Sequence, residues 1–92
     1  MTVTVKIPTP LRRLTQQQDK VSADATDIAG VVDALEGQFP GIKERLCDEN
    51  GALRHFVNIY VNGEDVRYMS GIDTTVSDGD ELSIVPAVAG GI

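Results

Sequence analysis

One stretch of this 92-residue chain has the spacing of a long helix, and most of the structured sequence around it has the spacing of strands. Between Thr26 and Phe39 the apolar residues Ile28, Val31, Val32, Leu35 and Phe39 recur at intervals of three and four, which places them on one helical face. Asp27, Asp33 and Glu36 fall away from that stripe. Thr26 is the expected N-cap, and Asp27 suits the positive end of the helix dipole. Gly30 and Gly37 each cost such a helix roughly 1 kcal/mol against alanine. Gly30 is either tolerated drift or a place where the helix lies close to a sheet. Pro40-Gly41 ends the helix, and Ile42 and Leu46 are spaced for one short further turn.

The flanking segments alternate with period two. Val3, Val5 and Ile7 share one face of an opening strand, with Thr2, Thr4 and Lys6 on the other. Pro8 and Pro10 end it, and Leu11 to Asp19 reads as a polar loop. Lys20 to Ala23 is a short second strand with Val21 inward. Arg54 to Asn62 is the strongest strand, with Val57, Ile59 and Val61 on one face and Phe56, Asn58 and Tyr60 on the other. Asn62-Gly63 is the preferred hairpin turn pair, and Glu64 to Tyr68 is a short return arm. Ser70-Gly71 and Asp78-Gly79-Asp80 are turns, and Glu81 to Pro86 is a last strand with Leu82 and Ile84 inward. Only one helix is long enough to cover a sheet. A twisted sheet must bury its apolar face, and one amphipathic helix laid across it does so. The order strand, strand, helix, strands lets the first and last strands pair in the middle. That is an α+β domain of β-grasp (ubiquitin-like) architecture, a mixed sheet under one main helix, expected over residues 1–86. Residues 87–92 are expected to form a separate flexible Gly-Gly tail with one extra residue.

Charge and chemistry narrow the function. The chain carries 14 acidic and 8 basic residues, a formal charge of −6, which makes nucleic acid and anionic membrane surfaces poor partners. No apolar run approaches the ~18 residues of a membrane span, and the N-terminus has no leader pattern. The one cysteine, Cys47, excludes an internal disulfide and reads as a small buried residue. His55 is the one histidine and reads as a structural or surface residue. No cysteine–histidine spacing suits a metal, Asp78-Gly79-Asp80 lacks the rest of a calcium loop, and no glycine-rich phosphate cradle precedes the helix. No residue is assigned to catalysis and no bound cofactor or metal is expected, so the chain is read as something other than an enzyme.

What remains is the C-terminus, Pro86-Ala87-Val88-Ala89-Gly90-Gly91-Ile92. These small residues follow the last strand and can extend into a narrow channel. Without a Cβ, Gly90 and Gly91 let a partner's reactive groups come close to the Gly91 carbonyl.

With that tail, the sequence resembles the ubiquitin-like sulfur carriers of the ThiS/MoaD family. The segments RHFVNIYVNGEDVR and PAVAGG carry the resemblance most specifically, and they make the chain most similar to the CysO-type branch that supplies sulfur for cysteine synthesis. The resemblance implies a cytoplasmic, monomeric carrier. The carboxylate of Gly91 would be adenylated by an E1-like, ATP-dependent enzyme and then converted by sulfide to a thiocarboxylate, with Gly90 as spacer. The sulfur would pass to a PLP-dependent cysteine synthase or, as an alternative, within molybdopterin synthase through its large subunit. A different class of alternative is a protein modifier conjugated to lysines through Gly91. Ile92 departs from the family pattern, because an amide carbonyl is not adenylated in this way. Trimming between Gly91 and Ile92 by a JAMM-type metalloprotease would expose Gly91; otherwise Ile92 has no part in the chemistry. Phe56 and Tyr60, on the open sheet face, are the candidate docking residues for the activating enzyme, unless they pack under the loop at Leu11 to Gln18.

Overall fold

A computed structural model describes residues 2–86. The strands are β1 (Thr2–Lys6), β2 (Lys20–Asp24), β3 (Val57–Val61), β4 (Glu64–Asp65) and β5 (Glu81–Pro86). The helices are α1 (Ile28–Gln38) and α2 (Ile42–Leu46). The strands form one sheet in the order β2-β1-β5-β3-β4. β1 and β5 run parallel, and every other pair is antiparallel. This is the β-grasp arrangement expected from the element order, with the first and last strands adjacent and β5 in the centre.

Alternation explains the layering. Val3 and Val5 of β1, Val21 and Ala23 of β2, Val57, Ile59 and Val61 of β3, and Leu82 and Ile84 of β5 are all buried. They face Ile28, Val31, Val32 and Leu35 of α1, which are buried too. Removing that much apolar surface from water is the main force holding helix to sheet. The opposite sheet face carries Thr4, Lys6, Asn58, Tyr60, Ser83 and Val85, with a Lys6–Glu81 ion pair of 2.9 Å. The hairpin at Asn62-Gly63 has positive φ at both residues, 50° and 92°, as a two-residue primed turn requires. Asn62 also ties this turn to β5, accepting from the Glu81 N–H at 3.0 Å and donating to Asp80 Oδ1 at 3.0 Å.

Local competition moves several expected boundaries. The N-cap of α1 is Asp27, not Thr26: the Asp27 carboxylate accepts from the Gly30 N–H at 2.7 Å, while the Thr26 carbonyl accepts from Val76. The segment expected as a polar loop contains a 3₁₀ helix at Thr9–Leu14. Pro10 supplies a fixed φ at its start, and Leu11 and Leu14 pack against the core. The return arm is strand only at Glu64–Asp65. It then tightens into a 3₁₀ turn, Val66–Tyr68, with Val66 fully buried and the Asp65 carboxylate accepting from the Arg67 N–H. A third 3₁₀ turn, Gly71–Asp73, lies where a simple turn was expected.

Candidate functional site

The final strand decides where chemistry at the C-terminus can take place. β5 is gripped on one side by β1, from Thr4↔Glu81 to Lys6↔Ser83, and on the other by β3, from Val61↔Leu82 to Val57↔Pro86. Ile84 to Pro86 therefore extend past β1 while still paired to β3. The chain leaves the sheet from its middle strand, beside Val57. Gly90, the predicted spacer, Gly91, the predicted reactive residue, and Ile92, with Gly91 the predicted processing site, lie outside the described residues, as does the whole proposed tail segment 87–92.

The residues next to that exit differ from the sequence reading. Phe56 is not in β3. Arg54 to Val57 close a tight turn in which the Val57 N–H donates to the Arg54 carbonyl at 2.9 Å. The Arg54 side chain is anchored too, its Nε donating to the Glu44 carbonyl of α2 at 2.8 Å. Phe56 is 46% exposed, and its ring meets His55 edge-on with centroids 5.8 Å apart. It lines a groove of about 400 Å³ with Glu44, Arg45 and Arg54. Tyr60 is half-buried on the open face of β3, level with Ser83 and Asp65. The two expected docking residues thus belong to different parts of the surface, one on a turn near α2 and the other on the sheet. In the segment at Leu11 to Gln18, Leu11 and Leu14 pack against the core.

Two further residues bear on this surface: Val85, which the sequence reading did not single out, and Arg67, which it noted in the RHFVNIYVNGEDVR segment with no role beyond possible docking. Val85, 43% exposed, stands on the open face opposite Asn58. Its outward direction followed from placing Leu82 and Ile84 inward. Arg67 donates through Nη2 to the carbonyls of Arg54 and Val57, at 2.5 and 2.7 Å. Nothing in the spacing of Arg67 reveals that it reaches back ten residues to Val57 and thirteen to Arg54.

Elsewhere the reactive side chains are occupied or quiet. Cys47 is buried, and burial pushes its thiol above the ordinary cysteine value, away from the thiolate a nucleophile needs. A groove of about 390 Å³ between α2 and the following loop contains Glu36, Lys43, Cys47 and Arg54. Its charges serve the fold. The Glu36 carboxylate accepts from the Gly41 and Lys43 N–H groups, which hold its pKa below the ordinary value. Lys43 Nζ donates to Asp33 at 2.7 Å, which raises the lysine. Among the described residues no group of three histidine, cysteine or acidic side chains is placed to hold a metal, and no helix is long and apolar enough to cross a membrane.

The family model described as the ThiS family matches residues 5–91, nearly the whole chain. This chain belongs to the ThiS family. Its similarity to one member of known role extends end to end: the sulfur carrier protein CysO of Mycobacterium tuberculosis is 52% identical over 93 residues, covering 99% of this chain and 100% of CysO. A chain in the crystal structure of the Amycolatopsis orientalis BexX/CysO complex superposes with a TM-score of 0.92 at 47% identity, covering 97% of this chain and 99% of that one. Small archaeal modifier protein 3 of Haloferax volcanii is 39% identical over 72 residues, 78% of this chain and 76% of that protein. The full-length likeness to CysO identifies the chain as a sulfur carrier.

Proposed function

We propose that this chain carries sulfur for cysteine biosynthesis as a thiocarboxylate on Gly91. The observation that carries the proposal is the end-to-end likeness to CysO, at 52% identity. Ile92 is removed first, by a JAMM-type metalloprotease. The freed Gly91 carboxylate then attacks the α-phosphate of ATP in an E1-like enzyme, releasing pyrophosphate. Sulfide attacks the acyl adenylate and AMP leaves, giving the thiocarboxylate. A PLP-dependent cysteine synthase accepts the sulfur. In this reading ATP is the activating enzyme's substrate, and the carrier holds no cofactor; it acts as a protein-sized group carrier. Glycine suits the terminus because no Cβ obstructs the adenylate or the incoming sulfide. The domain's part is delivery: the middle strand of a sheet is a stiff base from which to present a short tail.

The intact mass of the protein from its own cells tests this. The expected species lacks Ile92 and has one carboxyl oxygen replaced by sulfur. A protein that keeps Ile92 and carries no sulfur even under sulfur demand overturns the proposal. The similarity to a small archaeal modifier protein favours one second reading, conjugation to lysines through Gly91. Branched peptides ending in Gly90-Gly91 on lysine, found in digests of the same cells, identify that outcome.

A further inference from the structure

Arg67 and the Arg54–Val57 turn form a device that the carrier chemistry above does not use. Most guanidinium groups at a surface face water or a carboxylate. Arg67 instead directs one nitrogen at two backbone carbonyls of the same turn, Arg54 O at 2.5 Å and Val57 O at 2.7 Å. Its own backbone N–H is held by the Asp65 carboxylate at 2.9 Å, so the residue is fixed at both ends. The Arg54 carbonyl also closes the turn by accepting from Val57 N–H, and Arg54 N–H donates to the Leu46 carbonyl at 3.0 Å. Charge-assisted bonds of this kind are the stronger ones. The turn they lock is the one that holds Phe56 out into solvent, beside His55.

The position of this turn gives it a partner. Val57 is the register partner of Pro86. Ala87 to Gly91 are five residues, and five residues span at most about 18 Å. An enzyme that holds the Gly91 carbonyl in its active site must therefore stand within that distance of Pro86, close to the turn. We infer that Arg67 is a positioning residue: it fixes the Arg54–Val57 turn so that Phe56, flanked by Arg45 and Arg54, enters an apolar pocket with an acidic rim on the adenylating enzyme as the tail is threaded. This rests on the carrier reading of the preceding section. Arg45 and Arg54 bring two positive charges to the groove that Phe56 lines, against the one negative charge of Glu44, within a chain whose net charge is −6. A partner surface with a net negative local charge is therefore favoured there.

The test uses the full carrier ending at Gly91 and the E1-like adenylating enzyme of the same cells, with ATP–pyrophosphate exchange as readout. R67A, R67K, F56A and the double variant R67A/F56A are compared with the parent. F56A is expected to raise KM for the carrier about tenfold with kcat unchanged. R67A is expected to do the same, and R67K to recover only part of the loss, because an ammonium cannot reproduce the planar donor. Since Arg67 acts through Phe56, the double variant should be no worse than F56A alone. Exchange of deuterium at the amides of residues 55–57 should quicken in R67A while the unfolding midpoint of F56A stays at the parent value. Unchanged KM in F56A overturns the inference, as does strict additivity of R67A and F56A. A parent carrier that supports no exchange at all overturns the carrier reading and this inference with it, and that result is distinct from a parent that turns over alongside indifferent variants.

Discussion

Two glycines in α1 look equivalent in the sequence and are opposite in the structure. A Cβ built on Gly37 meets nothing within 4 Å. The same atom on Gly30 lies 3.1 Å from Ala25 Cβ and 3.1 Å from Asp27 Oδ1, the oxygen that caps the helix. Gly30 is thus the residue that lets the cap close, and its close neighbours are in the segment between β2 and α1 rather than across the sheet. Gly37→Ala should stabilise the protein by about 0.5 to 1 kcal/mol, the helix-propensity difference, partly by restricting the unfolded chain. Gly30→Ala should show no such gain, because the new methyl pushes on the cap, whose loss costs about 1 kcal/mol. Thermal unfolding of the two variants checks this: for a domain of this size each kcal/mol moves the midpoint by roughly 4–8 °C. Equal upward shifts would mean the cap tolerates the methyl.

Between residues and fold lie the elements, and one of the shortest shows how they are held. α2 has five residues and no side-chain N-cap of its own; its preceding residue is Gly41 at φ +102°. The donors at its start are met by Glu36, which reaches from α1 to accept from the Gly41 N–H and the Lys43 N–H at 2.9 Å. These bonds favour the ionised carboxylate and hold its pKa below the ordinary value of 4.5. A folded pKa below the unfolded one adds stability that is present above the unfolded value and is lost as pH falls through the folded one. Glu36→Gln should therefore be less stable than the parent at pH 7, and the difference should shrink as pH drops below about 4.5. Denaturant midpoints across that range read it out; a pH-independent difference would assign the effect to geometry alone. Such reach between elements also marks the limit of sequence reading. The period of α1 and the alternation of β1, β3 and β5 are intrinsic to each segment, so they were legible. The Arg54–Val57 turn was not, because its carbonyls are claimed by Arg67 from beyond the hairpin, and so Phe56 was placed on the strand beside Tyr60. The 3₁₀ helix at Thr9–Leu14 was hidden for a related reason: two leucines in a polar segment gain their meaning only from the core they meet.

At the scale of the whole molecule, the fold could be read from the order of its elements, since one long helix and several strands leave few ways to cover one apolar face. The small residues after the last strand, on which the proposed chemistry rests, stand out in the sequence and lie outside the described residues. The surface proposed to accompany them was not legible, because it is assembled from the exit of β5, the turn before β3 and the side of α2. The division between carrier domain and tail can still be argued physically. The buried core runs from Val3 to Ile84, and the last sheet pair is Val57↔Pro86. Deleting residues 87–92 removes no member of that core, so the unfolding midpoint should stay within about 2 °C of the parent, well under the shift a 1 kcal/mol loss produces in a domain this small. Deleting from Ile84 onward instead removes a side chain only 4% exposed and three of the five β3–β5 pairs. Loss of such a core residue alone costs about 2–5 kcal/mol, a large share of the roughly 5–15 kcal/mol that holds a typical domain folded. The shorter protein should accordingly be unfolded or nearly so at 37 °C, and circular dichroism melts of the two truncations separate the cases. A midpoint that drops by 5 °C or more on removing 87–92 alone would mean that those residues pack on the domain. The carrier would then have to release them from its own surface before an activating enzyme could take Gly91.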